Sequence, residues 1–157
     1  MRRTILGQHL TRPWKAIGQG YAQELASLGL TNENRVSHMP PRPLAQLRKL
    51  CLALPEVHEV EAWGEPTFRV RNKMFAMYAS ATNHHGNGRD AVWLKATLDE
   101  QARMIQSAPE CFFRPPYVGP SGWVGVWLDG VVEWDDVAEF LRDAYRLVAP
   151  KRLLDEL

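Results

Sequence analysis

The stretch TFRVRNKMFAMYAS, residues 67–80, decides the fold. It holds two apolar-rich runs, Thr67–Arg71 and Met74–Ser80, separated by Asn72-Lys73. Asparagine tolerates the left-handed backbone conformation that a two-residue hairpin turn requires. The pattern therefore predicts two antiparallel strands joined by a tight turn.

The position of the turn predicts the register of this hairpin. Val70 is expected to oppose Phe75, and Phe68 to oppose Met77, on one face. On the other face, residue 69 is expected to oppose residue 76, and residue 67 to oppose residue 78. A covered face and an open face of the sheet follow from this alternation.

Three amphipathic segments around the hairpin are predicted to be helices. The first has apolar residues at helical spacing, with Cys51 on the apolar face, and it ends before Pro55. The other two begin with the spacing of a capping box, in which the first residue and the residue three positions later each accept a hydrogen bond from the other's backbone amide. Their expected ranges are 43–54, about 97–107 with Thr97 and Glu100 as the box, and about 136–149 with Asp136 and Glu139 as the box.

Three more short strands complete the prediction of an α+β fold. They are expected at Ala91–Lys95, Cys111–Arg114 and Trp123–Leu128, with a helix between the first and the second. Helices interspersed with short strands are typical of a two-layer sandwich, in which helices pack on one face of a mainly antiparallel sheet.

Composition bounds the class of protein. The chain has 157 residues, of which 45% are hydrophobic and 24% charged, as in an ordinary globular domain. Its two cysteines are too few for a disulfide framework, so a cytoplasmic location is expected. No apolar run approaches the roughly 18 residues of a membrane span. No membrane association and no cofactor are expected, and the protein is expected to be a monomer or a weak homodimer.

Charge divides the chain into two parts. Residues 1–38 carry five basic and two acidic side chains, whereas residues 39–157 carry 14 basic and 16 acidic ones. We expect residues 1–38 to form a basic N-terminal arm and residues 39–157 to form the α+β domain. An alternative is that translation begins at Met39 and the arm is a gene-start error.

The uncovered face of the sheet is the main functional candidate. Helices on one side leave the other side to solvent or to a partner. Cationic and aromatic side chains that alternate on such a face can neutralise phosphates and stack bases. The same residue types dominate protein interfaces, and tryptophans are also common in cores, so three interpretations stay open. The residues expected on this face are Arg69, Arg71, Tyr78, Trp93, Lys95, Trp123 and Trp127.

Motifs for catalysis are weak. His84-His85 has no third metal ligand at a recognisable spacing, so both histidines are expected to be solvated loop residues. Gly86-Asn87-Gly88 is too short to cradle a phosphate. Cys51 is expected to be an inert buried thiol. These patterns favour a non-enzymatic binding module.

An ordered set of short motifs resembles a known family. The set comprises Leu52–Pro55 with the acidic stretch that follows, Phe68–Phe75, Leu94-Lys95, Trp123–Leu128 and Ala144-Tyr145. In this order they resemble the MmcQ/YjbR family of small bacterial proteins, over about residues 44–152. The resemblance implies a fold similar to that of CyaY, the bacterial frataxin. For some members it also implies DNA binding through a double wing of hairpins, and it implies no catalytic residues.

The expected nucleic-acid-binding residues come from two sources. The resemblance places Lys73, Lys95 and Trp123 at matching positions, and the alternation of the strands adds the other side chains. With DNA as the expected partner, the candidate set is Arg69, Arg71, Lys73, Lys95, Arg114, Trp93 and Trp123.

An alternative role follows from the related frataxin fold. It implies a module that engages a protein partner through a tryptophan on the sheet, with weak metal binding at an acidic edge. Glu56, Glu59 and Glu61 lie in the corresponding region, after the first helix.

Overall fold

The computed structural model describes residues 43–85, 87–130 and 132–157. The expected arm, residues 1–38, lies outside them. Four helices and six strands follow one another in the described residues, together with a 3₁₀ turn at Gly119–Ser121. They are α1 (Pro43–Leu52), β1 (Val57–Ala62), β2 (Glu65–Val70), β3 (Lys73–Ala79), β4 (Ala91–Leu94), α2 (Leu98–Ser107), β5 (Phe112–Phe113), β6 (Val124–Trp127), α3 (Trp134–Val148) and α4 (Lys151–Leu154).

The six strands form one antiparallel sheet in the order β1-β2-β3-β4-β6-β5. All four residues of β4 are buried, so this central strand is covered on both faces. The α+β prediction is confirmed. None of the helices in the described part of the chain is long and apolar enough to cross a membrane.

The helices pack on one face of the sheet around the main core. Tyr145 of α3 is fully buried, and its ring meets the Phe75 ring edge-on at 5.7 Å between centroids. The Tyr145 hydroxyl donates a hydrogen bond of 2.8 Å to the Pro55 carbonyl oxygen. The same core holds Cys51 of α1, whose burial was predicted, and burial raises the pKa of this thiol.

The register predicted for the β2–β3 hairpin is wrong. The turn is formed by Arg71 and Asn72, both with positive φ, so Val70 pairs with Lys73 instead of Phe75. A two-residue turn of this type needs two consecutive residues in the left-handed conformation. Asn72 is one of them, but the sequence does not show whether the second is the residue before it or the residue after it. An irregularity between Phe68 and Arg69 reduces this departure from two residues to one, so that Phe68 pairs with Ala76 instead of the predicted Met77.

Strand β1 was not predicted, because its acidic residues were interpreted as a surface patch. Its sequence, VHEVEA, does not alternate strictly between apolar and polar residues, but the strand lies at the edge of the sheet and pairs with β2 along its whole length. The short helix α4 after Pro150 was not predicted either.

The capping boxes are confirmed only in part. The Thr97 hydroxyl accepts a hydrogen bond of 3.2 Å from the Glu100 backbone amide, as predicted. The second hydrogen bond of the box, from the Thr97 backbone amide to the Glu100 carboxylate, is not formed, since both carboxylate oxygens are buried without a partner among the described residues. Helix α3 begins at Trp134, which packs against the main core, and Glu139 pairs with Arg142 at 2.7 Å instead of capping the helix.

A buried carboxylate in α3 makes the stability of the domain depend on pH. Asp143 is 1% exposed and accepts a hydrogen bond of 2.7 Å from Arg146. Burial raises the pKa of Asp143 to about 6, although Arg146 opposes the shift, and the charges of Glu100 and Glu139 raise it further. The folded state therefore binds this proton more tightly than the unfolded state, and the stabilisation is lost as the pH rises through about 6.

We expect the free energy of unfolding of Asp143→Asn, whose amide resembles the protonated acid, to exceed that of wild type by the largest amount near pH 7.5. This advantage should shrink as the pH falls from 7.5 to 5, by no more than about 3 kcal/mol. Urea denaturation at several pH values measures it. Asp135→Asn, at an exposed position of the same helix, controls for the loss of a negative charge. A constant difference between Asp143→Asn and wild type over this range would contradict the prediction.

Candidate functional site

The sheet face opposite the helices carries its own apolar cluster. Its members come from β3, β4 and the start of β6, and none comes from a helix. Trp93 is 2% exposed and Trp123 is 5% exposed. The expectation that these two rings are open to solvent is therefore wrong, because loops cover the face that the helices leave free.

The connection from β5 to β6 covers one part of this face. Gln101 of α2 is buried, and its side-chain amide donates hydrogen bonds of 2.8 Å to the Gly119 carbonyl and 2.5 Å to the Trp123 carbonyl. Gly122 adopts a φ of +98°, and a Cβ atom there would lie 2.7 Å from the Ala96 carbonyl oxygen. The segment is thus fixed to the end of the sheet by a buried amide and a close backbone contact.

The connection from β3 to β4 covers another part. The backbone amide of Ser80 donates to the Glu65 carboxylate at 3.0 Å, and that of Ala81 donates to Asp90 at 2.8 Å. Burial raises the pKa of Glu65, and the hydrogen bond from Ser80 opposes this shift. These contacts fix both ends of the connection that carries His84 and His85.

A cavity of about 500 Å³ lies between these two connections and the turn from β1 to β2. This volume is within the range of small-molecule sites in proteins. Two aromatic side chains on its wall are mostly exposed, Trp63 at 65% and Tyr117 at 77%. The wall consists of aromatic, thioether, aliphatic and imidazole groups, from Trp63, Met74, Met77, His84, His85, Trp93, Tyr117 and Val118.

The two histidines of the wall differ in environment. His84 is exposed, as expected, but His85 is only 9% exposed, so the expectation of a solvated loop residue is wrong for it. The His85 ring meets Trp93 edge-on at 5.6 Å and Tyr117 at 6.3 Å between centroids. Burial, and secondarily the neighbouring His84, lowers the pKa of His85 and so favours its neutral imidazole.

The wall also contains unpartnered polar atoms. His85 Nδ1 and Trp93 Nε1 are both buried, and neither has a hydrogen-bond partner among the described residues. Buried polar groups in proteins are usually paired, and leaving one unpaired costs free energy. The wall thus combines apolar side chains with a buried donor, Trp93 Nε1, and a buried nitrogen, His85 Nδ1, that accepts or donates depending on its tautomer, both without a partner among the described residues.

The structure brings some of the predicted cations to the cavity face. Arg69 donates a hydrogen bond of 3.1 Å to the Thr67 hydroxyl, and Thr67 pairs in register with the cavity residue Met77. The Lys95 ammonium lies 5.9 Å from the centre of the Trp123 ring. The other predicted cations lie apart from these two. Arg71 and Lys73 are exposed at the β2–β3 turn, and exposed Arg114 lies beside Gly119.

Ion pairing distinguishes these cations from most of the other described arginines. Within the described residues five arginines form ion pairs, with N–O distances of 2.6–2.9 Å, and four of them lie on helices. None of the five predicted cations forms an ion pair within the described residues. The paired arginines are Arg48, Arg89, Arg142, Arg146 and Arg152.

The acidic edge is largely neutralised. Glu59 is paired with Arg48 at 2.6 Å, and Glu56 with Arg152 at 2.9 Å. In residues 43–85, 87–130 and 132–157, no group of three or more potential protein ligands is placed to hold a metal ion. The edge therefore supplies no observation in favour of the metal-binding alternative.

Sequence reasoning did not select Trp63, Tyr117 and His85 as site residues. Trp63-Gly64 forms the turn between β1 and β2, and Trp63 has a φ of 55°. A prediction of strand β1 would therefore have placed Trp63 in an exposed hairpin turn. Tyr117 and His85 lie on connections, where periodicity gives no information about which surface is covered.

The burial of Trp93 and Trp123 predicts the effect of truncating them. We expect Trp93→Ala and Trp123→Ala each to lower the free energy of unfolding by about 3–5 kcal/mol, as is typical of buried aromatic residues. Trp63→Ala, a control at an exposed position, should cost under about 1 kcal/mol. Urea denaturation followed by circular dichroism measures all three. Wild-type stability of Trp93→Ala would show that the ring is not part of the core.

Comparisons with known proteins agree with this description. A model of the YjbR family matches residues 52–147. The fold is similar to that of protein DR2400 of Deinococcus radiodurans, which carries the domain named DUF419. The two share 24% identity and a TM-score of 0.59, over 72% of this chain and 86% of that one. A structural-genomics protein from Pseudomonas syringae is similar at 15% identity and a TM-score of 0.56, over 69% of this chain and 100% of that one. No functionally curated protein matches the chain.

Proposed function

The chain belongs to the YjbR family, and we propose that it is a non-catalytic module that binds single-stranded DNA across the cavity face and the β2–β3 hairpin. The observation that carries this proposal is the set of five cations on the sheet and its connections that form no ion pair within the described residues. Two mostly exposed aromatic rings, Trp63 and Tyr117, lie on the cavity wall of the same domain. The proposal differs from the sequence-based hypothesis in two respects. It specifies single-stranded DNA, and Trp63 and Tyr117, rather than Trp93 and Trp123, offer their rings to bases.

The distribution of charge supports binding of a polyanion. Residues 39–157 have a net charge of −2, which would disfavour a nucleic-acid partner if the charges were evenly mixed. Four of the paired arginines lie on helices, where carboxylates neutralise them. The predicted cations lie on the sheet and its connections and have no such partners in the described residues. A cation without a carboxylate partner is available for a phosphate contact.

The exposed rings favour a single strand over a duplex. Unpaired bases stack on aromatic side chains, and this contact tolerates any sequence. Trp63 and Tyr117 lie on the wall of the same cavity and are mostly exposed. Bases within a duplex are already stacked on one another and cannot reach such a cavity without being unpaired.

The composition of the cavity wall supports a non-catalytic role. Among the described residues of the wall, the ionisable side chains are the Tyr117 phenol and the two histidines, and no carboxylate, thiol or lysine lies beside them. A general base usually needs a group that orients it, or a nucleophile that it activates. The described wall offers binding surfaces without such a partner.

We expect the protein to bind labelled single-stranded DNA with micromolar affinity at low salt, measured by fluorescence anisotropy. The logarithm of the affinity should fall linearly with the logarithm of salt concentration. For a single strand the slope is about −0.7 per phosphate contact. The double variant Arg69→Gln/Lys95→Gln should therefore reduce the slope by about 1.4.

Arg103→Gln is the matched control for the salt experiment. Arg103 is exposed on α2, in the helix layer, and forms no ion pair within the described residues. Its loss should leave the slope unchanged. The absence of DNA binding at low salt, or an equal loss of slope in the control, would refute the proposed function.

We expect Trp63→Ala to weaken binding of single-stranded DNA about 5- to 150-fold, which corresponds to the loss of one stacked base. The slope with salt should not change, because no phosphate contact is removed. Leu98→Ala removes a large apolar side chain that is 57% exposed in the helix layer, and it should have no effect. Wild-type affinity of Trp63→Ala would exclude this ring from the interface.

A further inference from the structure

The cavity wall has no carboxylate, lysine or arginine among its described residues, and much of it consists of ring faces. It presents three aromatic side chains and two histidines together with two methionines and a valine. An ammonium ion would find no carboxylate there, and an anion would find neither a lysine nor an arginine. The wall therefore favours an uncharged ligand with extended apolar faces.

Two ring nitrogens of wall residues have no hydrogen-bond partner among the described residues, and this favours a ligand that forms hydrogen bonds. The Trp93 indole N–H is a donor and has no acceptor, and His85 Nδ1 has no partner among the described residues. Both nitrogens belong to residues of the cavity wall, and the two rings lie edge-to-face at 5.6 Å between centroids. A purely apolar ligand would leave both nitrogens unpaired, whereas a nitrogen heterocycle can pair with them.

We propose that this cavity is a binding site for one planar, uncharged nitrogen heterocycle of nucleobase size. Its ring system packs against Trp63 and Tyr117, and a ring nitrogen or carbonyl group accepts the hydrogen bond of Trp93. The proposal deepens the proposed function and rests on it only where the heterocycle is an unpaired base of a bound strand. A free nucleobase or nucleoside has the same chemistry.

The experiment compares benzimidazole with indole by ligand-observed NMR titration of the full chain. The two molecules have the same shape, but only benzimidazole has a ring nitrogen that accepts a hydrogen bond. We expect benzimidazole to bind about tenfold more tightly than indole. Tetramethylammonium, which tests the cavity as a site for cations, should bind more weakly than either.

Two variants test the role of the indole nitrogen. Trp93→Phe keeps an aromatic ring and removes the N–H donor, so the preference for benzimidazole should fall below about twofold. Trp127→Phe is the same substitution at a residue that packs on Phe113 and Arg89 outside the cavity wall, and it should keep the tenfold preference. Equal binding of benzimidazole and indole to wild type, an unchanged preference in Trp93→Phe, or tighter binding of tetramethylammonium overturns the proposal.

The source of the heterocycle is tested with adenosine and with a labelled oligonucleotide. If an oligonucleotide with one abasic position binds more weakly than its intact counterpart, the site takes a base from a strand. If adenosine displaces benzimidazole while the abasic position has no effect, the site takes a free nucleoside. Benzimidazole binding without oligonucleotide binding would refute only the proposed function. Salt-dependent oligonucleotide binding without benzimidazole binding would overturn only the present inference.

Discussion

Strand β4 has to be covered on both faces, and most features of this domain follow from that requirement. All of its residues are buried, and they alternate between the main core and the cluster that contains Trp93. Helices occupy one side only. The large indole on the other side can be buried only if connecting segments fold across it, because exposing so much apolar surface to water is unfavourable. The two connections that do so also form the walls of the cavity.

The contacts that hold these connections are few but buried. One amide, that of Gln101, bonds two carbonyl groups of the β5–β6 connection, and the Glu65 carboxylate bonds the start of the β3–β4 connection. Such contacts fix the connections to the sheet, whereas the side chains of Trp63 and Tyr117 remain mostly exposed. Both of these side chains lie on the cavity wall, while Trp93 packs in the apolar cluster and also lines the cavity.

Segregation of charge gives the domain two unlike sides. Arginines on the helices are neutralised by nearby carboxylates, and exposed pairs of this kind contribute little to stability. Their main effect is to reduce the positive charge of the helix side, whereas none of the five predicted cations on the sheet and its connections forms an ion pair within the described residues. The net charge of the chain, +1, conceals this arrangement.

The sequence by itself determined the layers of the domain. The apolar spacing of residues 43–54, the alternation around Asn72 and the Thr97 cap are local signals, and each was sufficient to place an element. It did not determine the exact hairpin register, because a one-residue choice of turn changes every cross-strand pair. Nor did it show that Trp93 and Trp123 are buried or that His85 lines a cavity. Alternation assigns a side chain to a face of the sheet, whereas tertiary structure alone decides what covers that face, since the covering segments are distant in sequence and have no periodicity of their own.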